Sequence, residues 1–152
     1  MSLGDSFPDK FKSDFSESNI AIGKVLRLKV KDTNPPKIKR FVIVRFSEDK
    51  YTLASVYINS EINPNINWSI EQQELQLKLT PDTREYLSKT SYVDCSRLII
   101  KDYQEILSIV EARPESVLGE LNESDLKHVA EKLKEARTIK GKLKKRYGLF
   151  DF

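Results

Sequence analysis

The chain has 152 residues, 39% of them hydrophobic and 32% charged, a length suited to one domain and a mix that supports a packed core rather than a solvated tail. Its single cysteine, Cys95, excludes an internal disulfide, and the lack of a Cys/His cluster with ligand spacing argues against structural zinc, so no metal or cofactor is expected. No apolar run reaches the roughly 18 residues of a membrane-spanning helix and the start is not that of a secretory signal, which leads to the expectation of a cytoplasmic protein with no membrane partner.

Residues 1–19 are polar, with Phe7, Phe11 and Phe15 at four-residue spacing, the pattern of an N-terminal extension forming a short helix with one aromatic face. A single domain is expected over 20–139. Lys24 to Val30 alternates Val25, Arg27 and Lys29 with Leu26, Leu28 and Val30, which predicts a strand covered on both faces. Asp32, Thr33, Asn34, Pro35 and Pro36 then impose a loop, because two prolines remove donors and fix φ.

Ile38 to Phe46, a continuous β-branched and aromatic run, predicts a central strand buried on both sides. Ser47 to Lys50 reads as a hairpin turn and Tyr51 to Ile58 as the partner strand, after which Asn59 to Ser69, with Asn63, Pro64, Asn65 and Asn67, reads as a long loop. Leu75, Leu77 and Leu79 alternate with polar residues in a half-exposed strand, and Tyr92 to Cys95 and Arg97 to Ile100 are two further short strands.

After Lys101 the apolar period lengthens, because Tyr103, Ile106, Leu107 and Val110 share one helical face, and Pro114 ends that helix. Asn122 is an N-cap followed by Glu123 and Asp125, and Leu126, Val129, Ala130 and Leu133 form the stripe of a second helix. Lys134, Arg137, Lys140, Lys142, Lys144, Lys145 and Arg146 stand against Glu135 alone, so the small net charge of +3 hides a basic C-terminal end. Residues 140–152 read as a basic tail that adds salt-dependent affinity for a polyanion, with Tyr147, Leu149, Phe150 and Phe152 as an apolar anchor. Strands first and helices last predict an α+β fold, a small β-barrel of five to six strands with C-terminal helices packed against one side.

Gly23-Lys24-Val25-Leu26 and Lys39-Arg40-Phe41-Val42-Ile43-Val44 resemble the opening strand and the step into the second strand of the MazF/PemK toxins, a class of small ribonucleases built on an SH3-like barrel. Tyr57-Ile58-Asn59-Ser60-Glu61-Ile62-Asn63 resembles the strand end that carries a threonine or serine beside the arginine. Ser91-Tyr92-Val93-Asp94-Cys95 and Leu118-Gly119-Glu120-Leu121 resemble the closing strands and the entry to the last helix. Phe41 stands where the class usually has proline, and Lys24 where an acidic residue is common.

The resemblance implies a toxin that cuts single-stranded RNA through the ribose 2′-hydroxyl without a metal, works as a homodimer and is neutralised by an antitoxin protein. It also implies Arg40 as the guanidinium on the phosphate and Ser60 as the neighbouring hydroxyl. Such cleavage needs a base, an acid and a cation on the crowded phosphate; Glu61 is the nearest carboxylate, and the base is left unassigned. Lys37, Lys39 and Arg45 are candidate phosphate contacts, Tyr57 and Trp68 candidate stacking surfaces, and Asn59 and Asn63 candidate amide contacts.

Two other reactive residues read as structural. His128 lies off the apolar stripe of its helix and reads as a surface residue, whereas Cys95, in a predicted strand without a histidine nearby in sequence, reads as an inert thiol. The alternative to an enzyme is a noncatalytic barrel that binds nucleic acid or a protein partner through the same loops.

Overall fold

A computed structural model describes residues 15–30, 37–60 and 69–152. The readings made for Phe7, Phe11, the proline loop at 31–36 and the asparagine-rich stretch at 61–68 lie outside those residues. The described chain begins with helical residues 15–19 (α1) and continues with strands β1 (Lys24–Val30), β2 (Lys37–Phe46) and β3 (Thr52–Asn59). A short helix α2 (Ile70–Glu74) leads into β4 (Gln76–Leu79), followed by β5 (Ser91–Asp94), β6 (Ile99–Asp102), helix α3 (Tyr103–Ala112) and β7 (Val117–Glu120). Two helices, α4 (Glu123–Glu135) and α5 (Gly141–Arg146), complete the order.

The strands form one antiparallel sheet in the order β4-β5-β3-β2-β1-β7, and β6 adds a seventh strand beside β3. Strands β5 and β6 share one edge of β3, pairing with Ile58 to Asn59 and with Thr52 to Ser55 respectively. Residues 95–98 are the excursion between them. The β7 strand, which has no alternating signature of its own, is held by β1 with a register shift at Val25 and Leu26.

Burial on both faces of the hairpin β2–β3 gives the sheet its character. Val42 and Val44 join Val25, Ala54, Val56, Ile58 and Val93 in one apolar cluster that also contains Leu79 and Leu121. Because this cluster draws on both ends of the sheet, it lies inside the curl. Phe41 and Ile43 point the other way, to an outer cluster with Leu26, Leu28, Leu53 and Tyr57, covered by Ile106 and Val110 of α3 and by Ile20. The helices therefore cover both faces, α3 outside and α4 inside, and not one side as the order of elements implied. A helix follows the face its own stripe can bury, and the short β6–α3 and β7–α4 connections deliver the two stripes to opposite faces.

The sheet is a curled half-barrel, and among the described residues no strand pairing joins β4 to β7. The segment 80–90 occupies the gap instead. Tyr86 lies so close to Gly119 of β7 that a Cβ there would meet the Tyr86 Cβ at 3.3 Å. Arg84 forms a two-pronged ion pair with Asp125 at the start of α4, Nε to Oδ2 at 2.7 Å and Nη2 to Oδ1 at 2.9 Å.

Helix α4 begins as its sequence signals: the Asn122 side chain accepts the Asp125 backbone N–H at 2.7 Å, while Val129, Ala130 and Leu133 are buried. The C-terminal end behaves differently from a solvated tail. Ile139, Tyr147 and Leu149 enter the inner cluster, and Lys144 is itself buried, donating to the Lys134 carbonyl at the end of α4 at 2.8 Å. The Tyr147 and Thr52 hydroxyls are hydrogen-bonded at 2.8 Å, tying this end to the start of β3. Among the described residues no helix is long and apolar enough to cross a membrane.

A fully buried leucine makes the test of this packing direct. Leu149→Ala should lower unfolding stability by about 2–5 kcal/mol in chemical denaturation, the usual cost of such a truncation. A change below about 0.5 kcal/mol, the ordinary surface value, would return this end to the status of a tail.

Candidate functional site

The antiparallel order gives the half-barrel two mouths of different character. At one, β1 and β4 begin and β2 ends, and here the C-terminal helices pack: Gly23 lies against Leu126, Lys132 donates to the Glu74 carbonyl at 2.7 Å, and Arg45 reaches Gly148. At the other, β1 and β4 end and β2 begins. Arg27, Lys29, Ile38, Arg40, Ser60 and Ser91 lie around this second mouth.

Arg40 is placed by strand alternation. It lies two residues before the inward-facing Val42, on the same side of β2, and its register partners are Arg27 on β1 and Ile58 on β3. Its Nη2 donates to the Ser91 Oγ at 3.1 Å, and that hydroxyl donates to the Lys89 carbonyl at 3.0 Å. Partial burial holds the Arg40 guanidinium below its usual pKa, which marks a cation with part of its hydration removed. Ser60 is the first residue past β3, half-buried and two positions beyond the inward Ile58, at the same mouth. The serine that bonds Arg40 is Ser91 on β5.

Lys39 and its neighbours lie on the other side of the same strand. Its Nζ donates to Asn59 Oδ1 at 3.2 Å and lies 5.4 Å from the Tyr57 ring centroid, while Arg97 stands 5.3 Å from the same ring. Burial, then the charges of exposed Lys37 and of Arg97, push the Lys39 ammonium below its ordinary pKa, with Asp94 acting in the opposite sense. Tyr57 is only 4% exposed and packs at 6.3 Å from the Phe41 ring. It is thus a floor beneath cations and not the open stacking surface expected.

Arg45 also has a different task from the phosphate contact expected. A register shift between Ile43 and Arg45 inserts one residue into β2, so Arg45 pairs with inward Ala54. Its Nη2 then donates to the Gly148 carbonyl at 3.0 Å, and the guanidinium covers the Phe152 ring at 4.8 Å. Glu61, Asn63 and Trp68 lie outside the described residues.

Sequence reasoning passed over Arg27 and Ser91, because what gives them meaning is the pairing register with Arg40 and with β5. Arg97 was passed over for a similar reason: it lies in the excursion between β5 and β6, whose return to the Tyr57 ring is a tertiary fact. His128 is exposed on α4 as expected. Among the described residues no group of three or more His, Cys, Asp or Glu side chains could hold a metal ion. No protein-family model matches the chain, and no curated protein matches it either.

Cys95 is fully buried just past β5, and burial pushes its thiol pKa up to about 12. Since the thiolate is the reactive form, a thiol-specific disulfide reagent near pH 8 should leave the folded protein unlabelled and react stoichiometrically once denaturant is added. Labelling of the folded chain at the denatured rate would show that the site is open.

Proposed function

We propose that the protein is a sequence-selective endoribonuclease of the MazF/PemK type, acting on single-stranded RNA at the Arg40 mouth. One observation carries this reading: Arg27 and Arg40 lie directly opposite each other across β1 and β2, and neither forms an ion pair among the described residues. Like charges opposite one another destabilise a strand pair, so their retention at an accessible mouth suits a site whose counter-ion is the substrate phosphate.

In this mechanism the RNA ribose 2′-oxygen attacks the adjacent phosphorus. The new 2′-O–P bond forms as the P–O5′ bond breaks, leaving a cyclic phosphate and a free 5′-hydroxyl. Arg40, steadied by Ser91, donates to the nonbridging oxygens as charge builds on them. Ser60 offers a hydroxyl to the same phosphate. The proton leaves the 2′-hydroxyl for a base at this mouth and returns to the departing oxygen.

The finer architecture belongs to the same proposal. Packing of Tyr86 on Gly119 and the Arg84–Asp125 pair support an SH3-like barrel closed by side chains where strand pairing stops. The protein then works in the cytoplasm as a homodimer, and an antitoxin silences it by laying acidic side chains over the Arg40 mouth. A noncatalytic nucleic-acid-binding barrel is the second reading, favoured by the placement of Ser91, and not Ser60, on the Arg40 guanidinium.

Purified protein should cut a mixed-sequence RNA in the presence of EDTA, and Arg40→Ala should slow the cut by about 10²–10³-fold, the usual loss of one oxyanion donor. Intact RNA at high protein concentration, with tight binding retained, would replace the nuclease with the binding barrel.

A further inference from the structure

We propose that the outer face of the sheet carries a second polyanion contact, a row of Lys37, Lys39, Arg97 and Lys101 that holds RNA backbone phosphates beyond the cleavage mouth. The proposal rests on the RNA-directed reading of the Arg40 site and adds that the substrate extends over the rim onto the other side of β2.

The row follows from alternation. Lys37 and Lys39 share the outer side of β2 with Phe41, and Lys101 lies opposite outward Leu53 on β6. Arg97 comes from the excursion between β5 and β6. Lys39 and Arg97 both lie over Tyr57, and the Lys101 Nζ lies 5.6 Å from the centre of the Phe41 ring. The floor is thus two adjacent aromatic rings of the outer cluster, and three cations, Lys39, Arg97 and Lys101, lie over them.

Cation–π contact alone gives a modest return, about 0.5–1 kcal/mol for an exposed cation. A leucine or methionine would cover the same rings without repulsion. The charges here do repel: Lys37 and Arg97 both disfavour the charged form of Lys39. The carboxylate acting against them is Asp94, which is buried and already accepts from the Gln76 side chain at 2.8 Å and the Ser96 backbone at 3.0 Å. Its distance to Arg97, itself largely exposed, is 3.9 Å. An external anion would relieve this crowding.

Position favours RNA over an acidic peptide. Lys39 adjoins Arg40 in sequence and lies on the opposite side of the same strand end, so a chain leaving the Arg40 mouth over the β2–β3 rim meets Lys39 next. A nucleic acid presents a charge at each nucleotide whatever its sequence, whereas a peptide must place carboxylates to match. Beyond Lys101 the surface turns acidic, with Asp102 and Glu105 exposed, which marks the end of the row.

The test uses Arg97→Gln combined with Lys101→Gln and an uncleavable 2′-O-methyl RNA of about 20 nucleotides, with anisotropy titrations over a range of salt. The plot of log affinity against log salt should lose about 1.4 from its slope, roughly 0.7 for each phosphate contact removed. Circular dichroism reports whether the double variant folds; if it does not, Lys101→Gln alone should lose about 0.7. A slope equal to that of the parent overturns the proposal, as does displacement of the RNA by polyglutamate of equal charge and concentration. Failure of the nuclease reading shows elsewhere, as equal cleavage by the parent and Arg40→Ala, and leaves the slope measurement standing.

Discussion

The structure depends on one strand pair being covered on both sides. Phe41 and Ile43 of β2 are fully buried against the outer cluster, while Val42 and Val44 are fully buried in the inner one. A strand whose middle is apolar on both faces can place polar groups only at its ends. That constraint sends Lys37, Lys39 and Arg40 to one mouth and Arg45 to the other, and thereby decides which cations can meet a ligand.

The two ends of β2 then follow different physical rules. At the helix-packed mouth, Arg45 spends its charge on backbone carbonyls and an aromatic ring, where it fastens the C-terminus. At the opposite mouth, Arg27 faces Arg40, and a neutral hydroxyl accepts a hydrogen bond from Arg40. A neutral acceptor orients a guanidinium without neutralising it. The same contrast separates the sides of β2 at this mouth, since Lys39 is held by an amide oxygen on a floor of aromatic carbon.

Much of the fold was legible because strand and helix periods are local properties. The bounds of β1, β2 and β3, the Asn122 cap and the stripe of α4 all follow from residues near one another in sequence. Less legible were features that need a partner to acquire meaning. The strand β7 exists because β1 offers it an edge, and Arg45 turns inward because of one extra residue in β2. The C-terminal end, read as a basic tail with an apolar anchor, has Tyr147 and Leu149 of that anchor in an inner cluster that distant strands create.

The candidate site divides in the same way. Sequence by itself determined that β2 is a doubly covered strand and that Arg40 stands at its polar end, since hydrophobic order and alternation are written in adjacent residues. Only the tertiary structure decided that Arg27 lies opposite Arg40, that Ser91 holds the guanidinium and that Tyr57 is a floor. Each of those facts is a register or a burial, and both arise when separate strands choose their neighbours.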